Sequence, residues 1–195
     1  MKCRAVPGRH QVTNALAAAA AMDACGIPAA AILSGLAHYV GAGRRMERKG
    51  EINGATVYDD YGHHPTEVKA TLMGAKALCE AQRREGSEER PRLICVFQPH
   101  TFSRTASLYK EFLSAFDAAD VLLLLDIYAA REVNTFGVSS EGLAHDVSAA
   151  TPDKARYCPT PEAAAAAIRE LARPGDSVVI MGAGDVIRVT GLLFP

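Results

Sequence analysis

The chain has 195 residues, 49% of them hydrophobic and 22% charged, with 21 Lys and Arg against 22 Asp and Glu. That length holds one full domain and part of another, and the composition is that of a globular protein. The net charge of -1 without a basic tract excludes nucleic acid and anionic membrane surfaces as expected partners, and no stretch approaches the ~20 apolar residues of a membrane span.

Residues 12–25 read as an alanine-rich helix stopped by Gly26. The basic residues Lys2 and Arg4 ahead of it suggest a leader peptide. Alanine is too weakly apolar for an export core, however, and residues 7–14 are too polar. Pro28 opens a second helix reaching about Val40, and Gly41-Ala42-Gly43 breaks the pattern. Residues 1–46 are thus expected to be a helical pair without a strand. That is too little to bury a core alone, and it looks like the tail of a larger domain.

The pattern changes at Glu47. Asn53-Gly54 is a hairpin-turn signal between strands at 49–52 and 55–58. Pro65 starts a long helix to about Arg84, with Val68, Leu72, Ala75 and Leu78 on its apolar stripe. Residues 83–91 form an exposed charged loop. A strand at 92–97 (RLICVF) precedes a helix at 106–116. The run 121–127 (VLLLLDI) reads as a central strand buried on both faces. Ser140 caps a short helix to about Val147, a weak strand lies near 156–158, and Thr160-Pro161 opens a helix to about Ala172. Gly175 ends that segment, and a strand at 177–181 leads through Gly182-Ala183-Gly184 to a short helix. Strands alternating with helices give an α/β fold with a mostly parallel sheet covered on both faces.

Two polar segments follow strands: Asp59-Asp60-Tyr61-Gly62-His63-His64-Pro65-Thr66-Glu67 and Gln98-Pro99-His100-Thr101-Phe102-Ser103-Arg104-Thr105. Open α/β sheets bind ligands at the carboxyl ends of their strands. The first segment is either an ordinary helix start or an anion site beside the free N–H groups of the helix opened by Pro65. The second is either a loop whose Ser103 or Thr105 caps a helix, or a place where Arg104 forks onto a carboxylate or phosphate. Arg44-Arg45 is either a solvated pair or a phosphate or base contact at a domain hinge. Gly182-Ala183-Gly184-Asp185 is half of a dinucleotide fingerprint and reads as a tight turn. Asp126 and the following Ile127–Glu132 form either a surface loop or a site rim. The five cysteines are dispersed and form no C-x-x-C pair, which fits a reducing cytoplasm and no zinc site.

Taken together, GRHQVTNALAA, RRMERKG, DDYGHHPTEVKATL and FQPHTFSRT, with the weaker IYAAREVNTFGVSS and GDSVVIMGAGD, resemble the Mur ligase family along nearly the whole chain. The resemblance implies three domains, of which residues 1–46 end the central ATP-binding one and residues 47–195 form the Rossmann-like last one. It implies ATP-dependent joining of L-alanine to the carboxylate of UDP-N-acetylmuramate through an acyl phosphate, in the cytoplasm, as a step of peptidoglycan synthesis. Asn14, Arg45 and Asp60 would serve ATP, with Asp60 at the ribose. Tyr61, His63, His100 and Arg104 would line the substrate pocket, the last three in catalytic roles. Mg2+ would be held by residues of the other domains. The chain contains no G-x-x-x-x-G-K-[ST] phosphate loop, so it is expected to be inactive alone. The alternative is a non-catalytic binding module, or half of a split ligase that works with a partner chain. Gln11 and Thr101 depart from the family pattern, Thr101 standing where an arginine is usual.

Overall fold

The computed structural model describes residues 9–39, 43–81 and 90–194, and only the backbone of residues 9–11. Helices α1 (Arg9–Ala24) and α2 (Ala29–His38) pack against each other. They are followed by the hairpin β1 (Glu47–Ile52) and β2 (Ala55–Asp60), then α3 (Pro65–Ala81), β3 (Leu93–Phe97), α4 (Phe102–Ser107) and α5 (Tyr109–Ala115). The chain continues through β4 (Val121–Leu124), α6 (Ser140–Ala150), β5 (Ala155–Tyr157), α7 (Pro161–Leu171), β6 (Ser177–Met181) and α8 (Ile187–Leu193).

The six strands lie in the order β1-β2-β6-β3-β4-β5, and every neighbouring pair is parallel except the β1–β2 hairpin. Asn53 and Gly54 turn that hairpin at φ 51° and 81°, the left-handed geometry that Asn-Gly favours. Each face of the sheet carries its own core. On one, Val68, Leu72 and Ala75 of α3 and Phe112 of α5 pack with Phe97, Phe116 and Leu143. On the other, Ala164, Ala165 and Ile168 of α7 and Val189 and Leu193 of α8 cover Val57, Val96, Leu123 and Ile180. Strands β3 and β6 are buried at every residue, the signature of parallel strands with helices on both sides.

The differences from expectation are local. The run at 121–127 is a strand only to Leu124 and lies one place from the sheet edge; β6 and β3 hold the centre. One helix expected at 106–116 is two short ones that begin at Phe102. Cys79, not Leu78, completes the buried stripe of α3. The cap of α6 is Ser139, whose side chain accepts from the Gly142 N–H. Thr160 caps α7 as expected. Most of the loop expected at 83–91 lies outside the described residues.

This topology sets the place of the site. Strands β2 and β3 feed helices on one face, whereas β6, lying between them, feeds α8 on the other. Chains leaving neighbouring strands toward opposite faces open a crevice at the carboxyl edge.

Candidate functional site

The tips of β2, β6 and β3 carry the polar residues. Asp59 is fully buried and is gripped by Arg44, whose Nε lies 2.9 Å from Asp59 Oδ2. The Arg44 Nη2 also donates to the carbonyl of Gly182, 2.8 Å away. Arg44, although partly exposed, is engaged on the protein's own groups and pins its segment to the tip of β6. Gly182 makes this approach possible, with φ 146° and space so tight that a Cβ would lie 3.0 Å from the Gln98 carbonyl oxygen. The glycine-rich turn is the tight strand-to-helix connection that its sequence suggests.

Asp60 is 2% exposed, and both of its oxygens are occupied: Oδ1 accepts from Gly62 N–H at 2.7 Å and Oδ2 from Met46 N–H at 3.0 Å. Burial raises its pKa against the lowering effect of those two N–H groups. Its carboxylate clasps the 43–46 segment to the strand tip instead of facing open space.

Next to this clasp, a line of planar groups crosses the carboxyl edge. The Tyr61 ring lies under the guanidinium carbons of Arg44 at 5.1 Å and Arg45 at 5.9 Å, within reach of a cation–π attraction. Arg45 also approaches Glu67, 3.7 Å away. Tyr61 meets His63 edge-on at 5.6 Å, His63 faces His100 at 5.8 Å, and His100 lies 5.4 Å from Tyr128 at 31°. The histidines come from opposite sides of β6, so the fold brings together the two segments that the sequence singles out.

The start of α3 is not an open anion site. Glu67 Oε2 accepts from the N–H groups of both His63 and His64 at 3.2 Å, closing the first turn from within. Burial raises the Glu67 pKa, but the two N–H groups prevail and leave it below the usual value. His64 is exposed and bonds locally to Thr66.

The β3 tip runs into α4 through Thr101 at φ 65°, strained for a β-branched residue. The Thr101 N–H donates to the Tyr128 carbonyl at 2.8 Å, and the Tyr128 N–H donates to Pro99 O at 2.9 Å. Neither Ser103 nor Thr105 caps α4. Glu132 does so from the loop after β4, accepting from Ser103 N–H at 2.8 Å and Ser103 Oγ at 2.5 Å, while Thr105 Oγ1 donates back to Thr101 O. Arg104 is half-buried on α4, and no ion pair joins it to a carboxylate among the described residues. Burial pushes the His100 pKa down, and the charges of Arg104 and His63 push it further, against a small upward pull from Glu132. His100 is therefore a neutral imidazole at pH 7 beside an uncompensated guanidinium. This combination can bind an anion and hold or accept a proton.

Beyond Tyr128 a cleft of about 290 Å³ opens among Gln98, Asp126, Thr160, Asp185 and Arg188. Its floor is set by Gln98, which accepts from the Val186 N–H and donates to Asp185. Asn14 is exposed on α1, and no hydrogen bond or ring contact joins it to the strand tips among the described residues. The side chain of Gln11 lies outside the described residues. Among the described residues no group of three or more His, Cys, Asp or Glu is placed to hold a metal ion, and no helix is long and apolar enough to cross a membrane. Tyr128, Glu132 and Gln98 are the site-forming residues that the sequence left open. Their only signal was position after a strand.

The chain is similar to known proteins over most of its length. The chain is 46% identical over 183 residues to the UDP-N-acetylmuramate–L-alanine ligase of Solidesulfovibrio magneticus, covering 94% of the chain and 38% of that protein. It is 49% identical over 179 residues to the protein of the same name from Anaeromyxobacter, covering 92% and 37%. The fold matches the crystal structure of UDP-N-acetylmuramate–alanine ligase from Thermotoga maritima with a TM-score of 0.72 and 24% identity, covering 96% of the chain and 37% of that one. The chain thus spans little more than a third of the length of these relatives. Residues 44–184 match the family described as Mur ligase, glutamate ligase domain, and with the strand tips arranged as above, the chain belongs to the Mur ligase family.

Proposed function

We propose that this chain is the carboxyl-terminal part of an ATP-dependent ligase that joins L-alanine to the carboxylate of UDP-N-acetylmuramate in peptidoglycan precursor synthesis, in the cytoplasm. Residues 47–195 act as the last domain and residues 1–46 as the end of the central one. The observation that carries this reading is the meeting of His63, His100 and Arg104 at one crevice, beside Arg45 and Tyr61.

In this reaction the muramoyl carboxylate becomes an acyl phosphate, the alanine amine attacks its carbonyl carbon, and phosphate leaves. The groups to be held are anions and an amine. Arg104 takes the alanine carboxylate, a task for which an unpaired guanidinium is suited. His100, neutral at pH 7, accepts a hydrogen bond from the amine or takes its proton as the bond to carbon forms. His63 and Tyr61 complete the wall on the opposite side of β6.

ATP supplies the phosphoryl group. Arg45, which lies over the Tyr61 ring, serves as the cation that faces it, and Asn14 serves the adenine side once the domains close. Asp60 reaches a ribose hydroxyl only when the Met46 N–H releases it; in the closed clasp it serves the nucleotide by placing Arg45. Mg2+ would be held by residues outside this chain. The exposed apolar residues Val12, Leu16, Leu33 and Tyr39 of the helical pair favour covering by the rest of the ligase, whether on the same chain or on a partner.

The test is a graft of residues 44–195 in place of the matching part of the Solidesulfovibrio magneticus ligase. Phosphate release that requires both UDP-N-acetylmuramate and L-alanine is the expected result. A folded graft that releases none, or that needs a different amino acid, overturns the reading. The chain 1–195 alone is expected to release no ADP.

A further inference from the structure

We propose that Tyr128 is the positioning residue of this site: its ring fixes the orientation of the His100 imidazole toward the substrate amine, a role that rests on the ligase reading above. A histidine at a reactive site is usually oriented by a hydrogen bond on its second ring nitrogen. His100 lacks one. Its Nδ1 is buried and has no partner among the described residues, which leaves Nε2 as the nitrogen available to a ligand. Orientation then falls to the surfaces that flank the ring.

Two aromatic groups flank it. His63 lies 5.8 Å away at 50°; its Nδ1 is bonded to the Tyr61 carbonyl at 3.1 Å and lies 3.9 Å from Glu67 Oε2. Tyr128 lies closer, 5.4 Å away and nearer to parallel at 31°, in the range of an offset stack. Its backbone is locked to the His100 segment by the paired bonds Tyr128 N–H to Pro99 O and Thr101 N–H to Tyr128 O. These make a short parallel bridge at His100 itself. The other end of the loop is tied down by Glu132 on Ser103. The register of the two rings is therefore set by backbone.

The surroundings are cut to fit the tyrosine. A Cβ on Gly184 would stand 2.5 Å from Oε1 of Gln98, 2.6 Å from Cγ of Tyr128 and 2.8 Å from its Cβ. Glycine at 184 is what lets the ring sit where it does. The charged and titratable groups acting on His100 are Arg104 of α4, His63 at the start of α3 and Glu132 of the loop after β4. Tyr128 adds no charge. It adds an apolar face that keeps water off one side of the imidazole and a surface that stops it turning. The tyrosine does not touch the reacting atoms; it acts through His100.

The experiment is a pH titration of the His100 ring nitrogens by long-range ¹H–¹⁵N NMR in the labelled chain 1–195. The expected result is one dominant tautomer and a depressed midpoint in the parent chain and in Tyr128→Phe. In Tyr128→Leu the midpoint should rise toward the ordinary value of about 6.5, with nitrogen shifts moving to those of a tautomer mixture. Gly184→Ala, which crowds the Tyr128 ring and the Gln98 amide without removing the ring, should move His100 in the same direction and is read in place of Tyr128→Leu if that variant loses amide dispersion. An unchanged midpoint and unchanged shifts in the variant read overturn the proposal.

This measurement needs no substrate, so its failure leaves the ligase reading standing. An inactive graft, conversely, leaves the NMR result untouched. In an active graft, Tyr128→Leu should lower kcat/KM by about tenfold to a hundredfold, as expected for a misplaced reactive group. Tyr128→Phe should stay within about twofold on the same ground.

Discussion

His63 and His100 face each other with ring centroids 5.8 Å apart, although they extend from β2 and β3, strands that never touch. Strand β6 lies between them and hydrogen-bonds to both. The pair is therefore held across a strand, and the two imidazoles span the gap left where the chain at the tip of β6 turns to the opposite face.

Burial and the neighbouring Arg104 and His63 charges hold the His100 pKa below 6.5 in the folded chain. The unfolded chain then binds the proton more readily between that depressed value and about 6.5. Stability is accordingly full above about 6.5 and falls as pH drops through this window. Denaturant unfolding at pH 7.5 and 5.5 should show a loss at the lower pH that is smaller in His100→Gln. An equal loss in both chains would remove His100 as its source.

Arg104 carries no ion pair among the described residues, so its truncation exposes no orphaned carboxylate and should leave stability nearly unchanged. In the grafted ligase, Arg104→Ala should raise the KM for L-alanine by about tenfold to a hundredfold, the worth of a charge-assisted hydrogen bond of about 1.5–3 kcal/mol. Initial-rate kinetics over alanine concentration decide this. A KM within about twofold of the parent would take Arg104 out of the pocket on the same scale.

The Arg44–Asp59 pair is the structural counterpart. Asp59 is fully buried, and removing Arg44 leaves its charge without a cation. Arg44→Ala should cost about 3 kcal/mol, the low end for breaking a buried pair because Arg44 itself is partly exposed. Replacing both partners together, Arg44→Met with Asp59→Leu, should cost less than the sum of the single changes. Urea unfolding of the single and double variants measures both quantities.

Gly182 at φ 146° sits against the Gln98 carbonyl oxygen. Gly182→Ala should cost about 1–3 kcal/mol through backbone strain and crowding. It should also loosen the Arg44 contact, since Arg44 Nη2 donates to the Gly182 carbonyl. Thermal unfolding and the ¹⁵N shift of the Arg44 Nε report the two effects separately.

The fold was legible because its signals are local. Asn53-Gly54 dictates a hairpin, Thr160-Pro161 a helix start, and the run at 177–181 a strand buried on both sides. The polar strand tips were legible for the same reason. What sequence could not supply was pairing across the sheet. Arg44 reads as a solvated cation until Asp59 is seen beneath it. The N–H groups at the start of α3 read as open until Glu67 is seen to fold back on them. Asp60 reads as an open strand-tip carboxylate until the Met46 and Gly62 N–H groups are seen bonded to its oxygens. In each case an ionisable residue is engaged by a partner whose own sequence shows no sign of it. Glu132 on Ser103 is a further example, because a cap contributed from another loop leaves no spacing rule to detect.

Among the described strands, the one that separates the two imidazoles comes last in the sequence. A nascent chain that stops short of Ser177 already holds both histidines and Arg104, yet β2 and β3 have no common neighbour to hold them apart or in line. Synthesis of the chemical groups and assembly of their geometry are thus separate events, and the second waits for β6 to slide between β2 and β3.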